Sequence, residues 1–230
     1  MTDSPDTDAT AVDSASAGSS ADPGVEAPAA AQASPTTRKR PRPGERRVQI
    51  LQTLASMLEQ PGAERITTAA LAAKLDVSEA ALYRHFASKA QMFEGLIEFI
   101  ESSVFTLINQ IVEREISGAA QAQRIVTLIL QFGEKNPGMV RVMVGDALVF
   151  EHERLIVRMN QFFDRVESQL RQCLRQAAES AGSATPTVDA GALASTVTAF
   201  VVGRLQRYAR SGFKRNPTEH LDFALQRLAG

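Results

Sequence analysis

Tryptophan is absent from this 230-residue chain, and cysteine, tyrosine and histidine are scarce, with one, two and three copies. A lone Cys173 excludes an internal disulfide and any thiolate cluster for structural zinc. Uninterrupted apolar runs approaching the ~20 residues that span a bilayer are missing, so no membrane span is expected. The opening residues are acidic and lack the apolar stretch of a secretory signal, which makes the cytoplasm the expected location. No glycine-rich phosphate loop and no nucleophile elbow occur. Glu151, Glu153, Asp164 and Glu167 sit at helical spacings without a histidine partner and read as a solvated face, while His152 and His220 read as surface side chains. No catalytic centre, metal or cofactor is therefore expected.

Positive charge is also missing from one end. Residues 1–37 contain no Lys or Arg, and Asp3, Asp6, Asp8, Asp13, Asp22 and Glu26 give them −6. Since the whole chain carries −1, residues 38–230 carry +5, a balance that points toward a polyanionic partner. The acidic segment is rich in Ala, Ser, Thr, Asp and Pro and is expected to be a disordered tail. Residues 38–47, RKRPRPGERR, then reverse the sign, with six basic residues and one Glu. Pro41 and Pro43 oppose helix there, so the segment reads as a basic arm in which Arg40 and Arg42 reach phosphates or a groove.

What the chain has in quantity is apolar residues at helical spacing, in a composition that is 44% hydrophobic. Val48, Leu51, Leu54, Ala55 and Leu58 form a stripe on a first helix that Pro61-Gly62 ends. A second helix begins near Thr67 and Thr68 and carries Leu71, Ala72 and Leu75. After a turn at Asp76-Val77, Ser78 caps a third helix bearing Ala81, Leu82 and Phe86, with Glu79 complementing its dipole. Ser88 and Gln91 form a capping box for a long fourth helix with Met92, Phe93, Leu96, Ile97, Ile100, Val104, Leu107, Ile108 and Ile111 inside. Further helices are expected at 121–136 and 138–146, along a strong stripe from Leu155 to Leu174 that includes Cys173, and at 188–211, where two sides are apolar. A last helix is expected from Pro217, with Leu221, Phe223, Leu225 and Leu228. No strand-like alternation occurs, so the expected class is all-α, with a small module at 44–88 and a helical dimerisation domain at 89–230.

Two short helices joined by a tight turn, with small Ala residues where they cross, have helix-turn-helix geometry. With Leu71, Leu75, Val77, Leu82 and Phe86 inside, the third helix turns Ser78, Glu79, Ala80, Tyr83 and Arg84 outward, with His85 nearby. That face suits a DNA major groove, where Arg pairs with guanine and hydroxyls hold phosphates. Thr67, Thr68, Tyr83, His85 and Lys89 are the expected backbone contacts.

The order T-T-x-x-L-A-x-x-L-x-V-S-x-A-x-L-Y-x-H-F-x-x-K from Thr67 to Lys89 resembles the TetR family of DNA-binding regulators almost position by position. Asp76 stands where that family often has Gly, and Asp tolerates the left-handed conformation. SEAALYRHFASKAQMFEGLIEFIE (78–101), FGEKNPG (132–138), ALVFEHERL (147–155) and NQFFDRVESQLRQCLR (160–175) further resemble the nucleoid occlusion group within that family, over about residues 40–228. That resemblance implies a nucleoid-associated homodimer on palindromic double-stranded DNA that antagonises the division protein FtsZ. It also implies capture of the FtsZ C-terminal tail in a groove beside the fourth and fifth helices. Phe99, Leu128, Lys135 and Asn136 match groove positions of that group, whereas Leu107 and Gln131 replace an Arg and a Gly. The alternative is a TetR-type repressor released by a small molecule enclosed in the C-terminal helices.

Overall fold

Three-to-four spacing of apolar residues produces nine α-helices among the residues that the computed structural model describes, 44–60 and 65–228. They are α1 (Glu45–Leu58), α2 (Thr68–Leu75), α3 (Glu79–Tyr83), α4 (Lys89–Arg114), α5 (Gly118–Lys135), α6 (Pro137–Met143), α7 (Glu153–Ser180), α8 (Pro186–Arg210) and α9 (Leu221–Leu228), with a 3₁₀ turn at Asp146–Leu148. No strand occurs among the described residues. The expected stop at Pro61-Gly62 lies outside them, as do the acidic tail and the arm up to residue 43.

Side-chain oxygens start four of these helices. Thr67, Ser78, Ser88 and Ser117 accept from the amides of Ala70 (3.1 Å), Ala81 (3.3 Å), Gln91 (3.2 Å) and Ala120 (3.4 Å). Ser117 is why α5 begins at Gly118 rather than at Gln121. The Ser88 box closes differently from the usual pattern, because the Gln91 side chain accepts from Ala87 rather than from the cap itself. His152 is the N-cap of α7 and accepts from the Arg154 amide through Nδ1. The last helix starts at Leu221, four residues after Pro217. Hydrogen bonds from Glu219 to Asn216 and from Leu221 to Thr218, with His220 at φ 53°, hold a turn there instead.

Each helix buries one stripe, and three expected core residues fall on the wrong side of it. On α1 the buried line is Ile50, Leu54 and Leu58, so Val48 faces out. On α4 it runs through Met92, Leu96, Ile100, Val104 and Ile108, which leaves Leu107 exposed. On α9 Leu221 and Leu225 point in and Phe223 points out. Both α4 and α8 are long and apolar enough to cross a membrane by length and composition, yet each turns one stripe into the protein core, Met92 to Ile108 on α4 and Ala190, Ala194, Val197, Val201 and Leu205 on α8. Phe93, Ile97, Ile125, Ile129, Phe162 and Val166 fill the interior between α4, α5 and α7.

Close backbone approaches set the helix spacing. At Gly118 a Cβ would stand 2.2 Å from the Cys173 carbonyl oxygen, so α5 can touch α7 only with glycine there. Burial pushes the Cys173 thiol up, which keeps it protonated and inert. At Gly138 a Cβ would stand 2.0 Å from the Ala55 oxygen, pinning α6 against α1. Glu94 pairs with Arg154 (2.7 Å) and Glu101 with Arg158 (2.6 Å), tying α4 to α7, and the bond to Glu101 raises the Arg158 pKa. Replacing Gly138 by Ala forces α1 and α6 apart and should destabilise the protein by about 2–3 kcal/mol, as overpacking against rigid backbone does. Urea unfolding of the Gly138→Ala variant against the parent chain measures it.

Candidate nucleic-acid interface

The α2–α3 corner is built by local chemistry. Asp76 ends α2 in the left-handed conformation, φ 55° and ψ 52°, and its amide bonds Ala73 while Val77 bonds Ala72. These two bonds close the helix with a reversed residue, the role glycine commonly fills. Asp76 therefore keeps the turn. Ser78 then caps α3 at once, so three residues join the two helices.

Helix α3 has two opposed sides. Leu82 and the following Phe86 are each 1% exposed, whereas Tyr83 is 45% exposed and Ser78, Glu79, Ala80, Arg84 and His85 are all open to solvent. Regular helix stops at Tyr83, and a turn carries the chain to Phe86, with the His85 and Phe86 amides both donating to Leu82. Phe86 lodges beside Gly95 of α4, its ring edge 3.5 Å from where a Cβ would stand. The expected outward set is therefore exposed as a group.

The threonines divide. Thr67 is exposed, and its oxygen serves the α2 cap, which leaves its O–H to donate outward. Thr68 is half-buried and donates to Glu79 Oε2 at 2.6 Å, so the starts of α2 and α3 are locked together and the Glu79 carboxylate is held in place. Lys89 departs most from expectation. It is partly buried, stands 5.7 Å from the Phe93 ring and forms an ion pair with Glu151 from the segment before α7. Sequence reasoning assigned Glu151 to a solvated face, because nothing local signals a partner 62 residues away. Arg65, before α2, likewise lies 6.0 Å over the Phe150 ring. Arg40 and Arg42 lie outside the described residues.

A second candidate surface runs along α4 and α5. Phe99 and Leu107 are 46% and 41% exposed, two turns apart on α4. Leu128 is half-buried against the core, and Gln131 and Lys135 are exposed further along the same side of α5. The Asn136 side chain donates to the Phe132 carbonyl at 2.7 Å, and its own carbonyl accepts from Met139 and Val140, so it both ends α5 and begins α6. Elsewhere, a groove of about 450 Å³ between α6, α7 and α8 is lined by Ile156, Met159, Phe163 and Val202 and opens to solvent. The outward side of α8 carries Ala192, Ser195, Ala199 and Gly203, with open space beyond Gly191 and Gly203.

Two family profiles match the chain. One, described as bacterial regulatory proteins of the tetR family, covers residues 50–96, and the other, a tetracyclin repressor-like C-terminal domain of the SlmA-like type, covers 118–229. The nucleoid occlusion factor SlmA of Photobacterium profundum is 53% identical over 185 residues, covering 80% of this chain and 94% of that protein. The SlmA of a Marinomonas species is 54% identical over 175 residues, 76% of this chain and 88% of its own. Among solved structures, the fatty acid degradation regulator FadR of Bacillus halodurans superposes with a TM-score of 0.67 at 13% identity, over 81% of this chain and 96% of that one, a likeness of fold alone.

The cap on α3 gives a direct check on this corner. Ser78→Ala leaves the Ala81 amide without its acceptor and should cost about 1 kcal/mol, lowering the thermal midpoint by roughly 2–4 °C. Differential scanning calorimetry reads the shift.

Proposed function

Because the chain belongs to the SlmA family of nucleoid occlusion factors, built on the TetR-type DNA-binding fold, we propose that it binds palindromic chromosomal sites as a homodimer and there antagonises FtsZ assembly. The observation that carries the reading is the two-sidedness of α3: Leu82 and Phe86 are sealed inside, and Ser78, Glu79, Tyr83 and Arg84 stand out together. A recognition helix reads base edges in the major groove while its neighbours grip the backbone.

In this reading α3 enters the major groove. Arg84 reads guanine, Glu79 accepts from cytosine, and Tyr83, Thr67 and His85 hold phosphates. Lys89 reaches a phosphate only by leaving Glu151. The arm at 38–47, with Arg40 and Arg42, adds sequence-independent attraction that salt weakens. TetR-family regulators dimerise, and the small-residue side of α8 with the exposed Phe223 of α9 supports pairing there across a twofold axis. One face on two protomers then meets two half-sites.

The FtsZ tail would lie along α4 and α5. Phe99 and Leu107 offer exposed apolar contact, and Lys135 offers a cation to a peptide carboxylate. Asn136 is committed to its caps and serves the groove by shaping its end. The protein acts without a catalytic step, in the cytoplasm at the nucleoid.

Tyr83→Ala should abolish site-specific binding, read by fluorescence anisotropy on an operator selected from genomic fragments, while sedimentation still reports the dimer. Removing residues 38–42 should weaken all duplexes alike and flatten the dependence of affinity on salt; an unchanged slope refutes the arm. An immobilised FtsZ tail peptide should retain the operator-bound chain and lose the Phe99→Ala variant. Failure to retain the parent chain with or without operator would remove FtsZ from the reading.

A further inference from the structure

Arg47 counts by sequence among the cations of the basic arm, yet its exposed side chain lies back across the end of α3. Its Nη1 donates to the His85 carbonyl at 2.9 Å, and its guanidinium carbon lies 4.1 Å over the ring of Phe86, which is itself buried. The adjacent Arg46 donates to Gln49 on its own helix. From this pair of contacts we infer that Arg47 is a positioning residue for sequence reading: it braces the exit of α3 through His85 and Phe86 rather than adding one more charge against phosphate. The inference rests on the operator-binding reading above.

The brace is needed because α3 has only five residues. An isolated helix of that length does not hold itself, so its attitude is set by what pins its two ends. At its start the Ser78 cap and the Thr68–Glu79 bond do so. At its end the His85 and Phe86 amides close the last turn onto the Leu82 carbonyl, and the chain turns directly into Phe86, leaving the His85 carbonyl beyond the helix for an outside donor. Arg47 meets both requirements there with one planar group, donating in its plane and stacking with its face. Lysine keeps the charge but has no plane to stack. Tyr83, Arg84 and His85 immediately precede this anchor, so loosening it moves the groups that meet the duplex.

A brace and a phosphate contact leave different signatures. A lost phosphate contact weakens every sequence equally and lowers the salt slope by about 0.9. A tilted recognition helix loses base contacts while the general attraction survives. Arg47→Lys in the full-length chain separates the two, since it preserves charge. The expected result is about a 10-fold fall in the ratio of operator to random-duplex affinity. Random-duplex affinity, salt slope and thermal midpoint stay as in the parent, which a merely structural role would not produce. Amide exchange in the free variant should be several-fold faster across residues 79–86. Unchanged exchange with an unchanged ratio overturns the inference, and so does an equal loss on both duplexes. If the parent chain prefers no sequence at all, the operator reading fails on its own, and the exchange comparison on free protein still decides whether Arg47 holds α3.

Discussion

Burial of Leu82 and Phe86 governs the working surface of this protein. Once those two side chains are sealed beneath α3, the remaining residues of a five-residue helix have one direction left to face. Hydroxyls, a carboxylate, a phenol and a guanidinium then emerge together; Ser78 and Glu79 each keep one local partner, the Ala81 amide and the Thr68 hydroxyl, and the group as a whole faces solvent. Gly95 on α4 makes room for Leu51 of α1, whose methyls lie 3.0 and 3.1 Å from where a Cβ would stand, and Phe86 packs beside them.

The small N-terminal module is held to the helical body at several separate points. Gly138 lets α6 sit directly on the Ala55 carbonyl. Lys89 pairs with Glu151, and Arg65 lies over Phe150, both from the segment that leads into α7. The first is a steric contact that allows almost no give. The Lys89–Glu151 pair is largely enclosed, its side chains 25% and 10% exposed, whereas the Arg65–Phe150 contact is open to solvent and weak. Lys89, the first residue of α4, thus joins the end of the α2–α3 corner to the segment before α7 through Glu151.

The long helices distribute chemistry to surfaces and keep the interior plain. Between α4, α5 and α7 the filling is Phe, Ile, Leu and Val packed without charge. Outside it, α4 and α5 display an apolar-plus-cationic strip, and α8 displays small residues beside a shallow apolar groove. Macromolecular partners that meet surfaces fit this distribution better than an enclosed effector does. Leu107 and Gln131 lie on the first of these strips, where Leu107 adds exposed apolar area.

Composition, periodicity and caps determined which segments are helical and that no strand accompanies them in the described residues, because those signals act within one or two turns. Thr67, Ser78 and Ser88 declare their helices through bonds three residues long, and Asp76 declares its turn through its own dihedral preference. The outward set on α3 follows from the same local arithmetic. Tertiary structure alone decided that Val48, Leu107 and Phe223 face solvent, since an apolar residue at a stripe's margin is buried only if a neighbouring helix arrives there. It alone paired Lys89 with Glu151 and turned Arg47 onto His85 and Phe86, contacts spanning 62 and 38 residues of chain. Charge in a sequence has a sign but no direction, and only the packed fold supplies the direction.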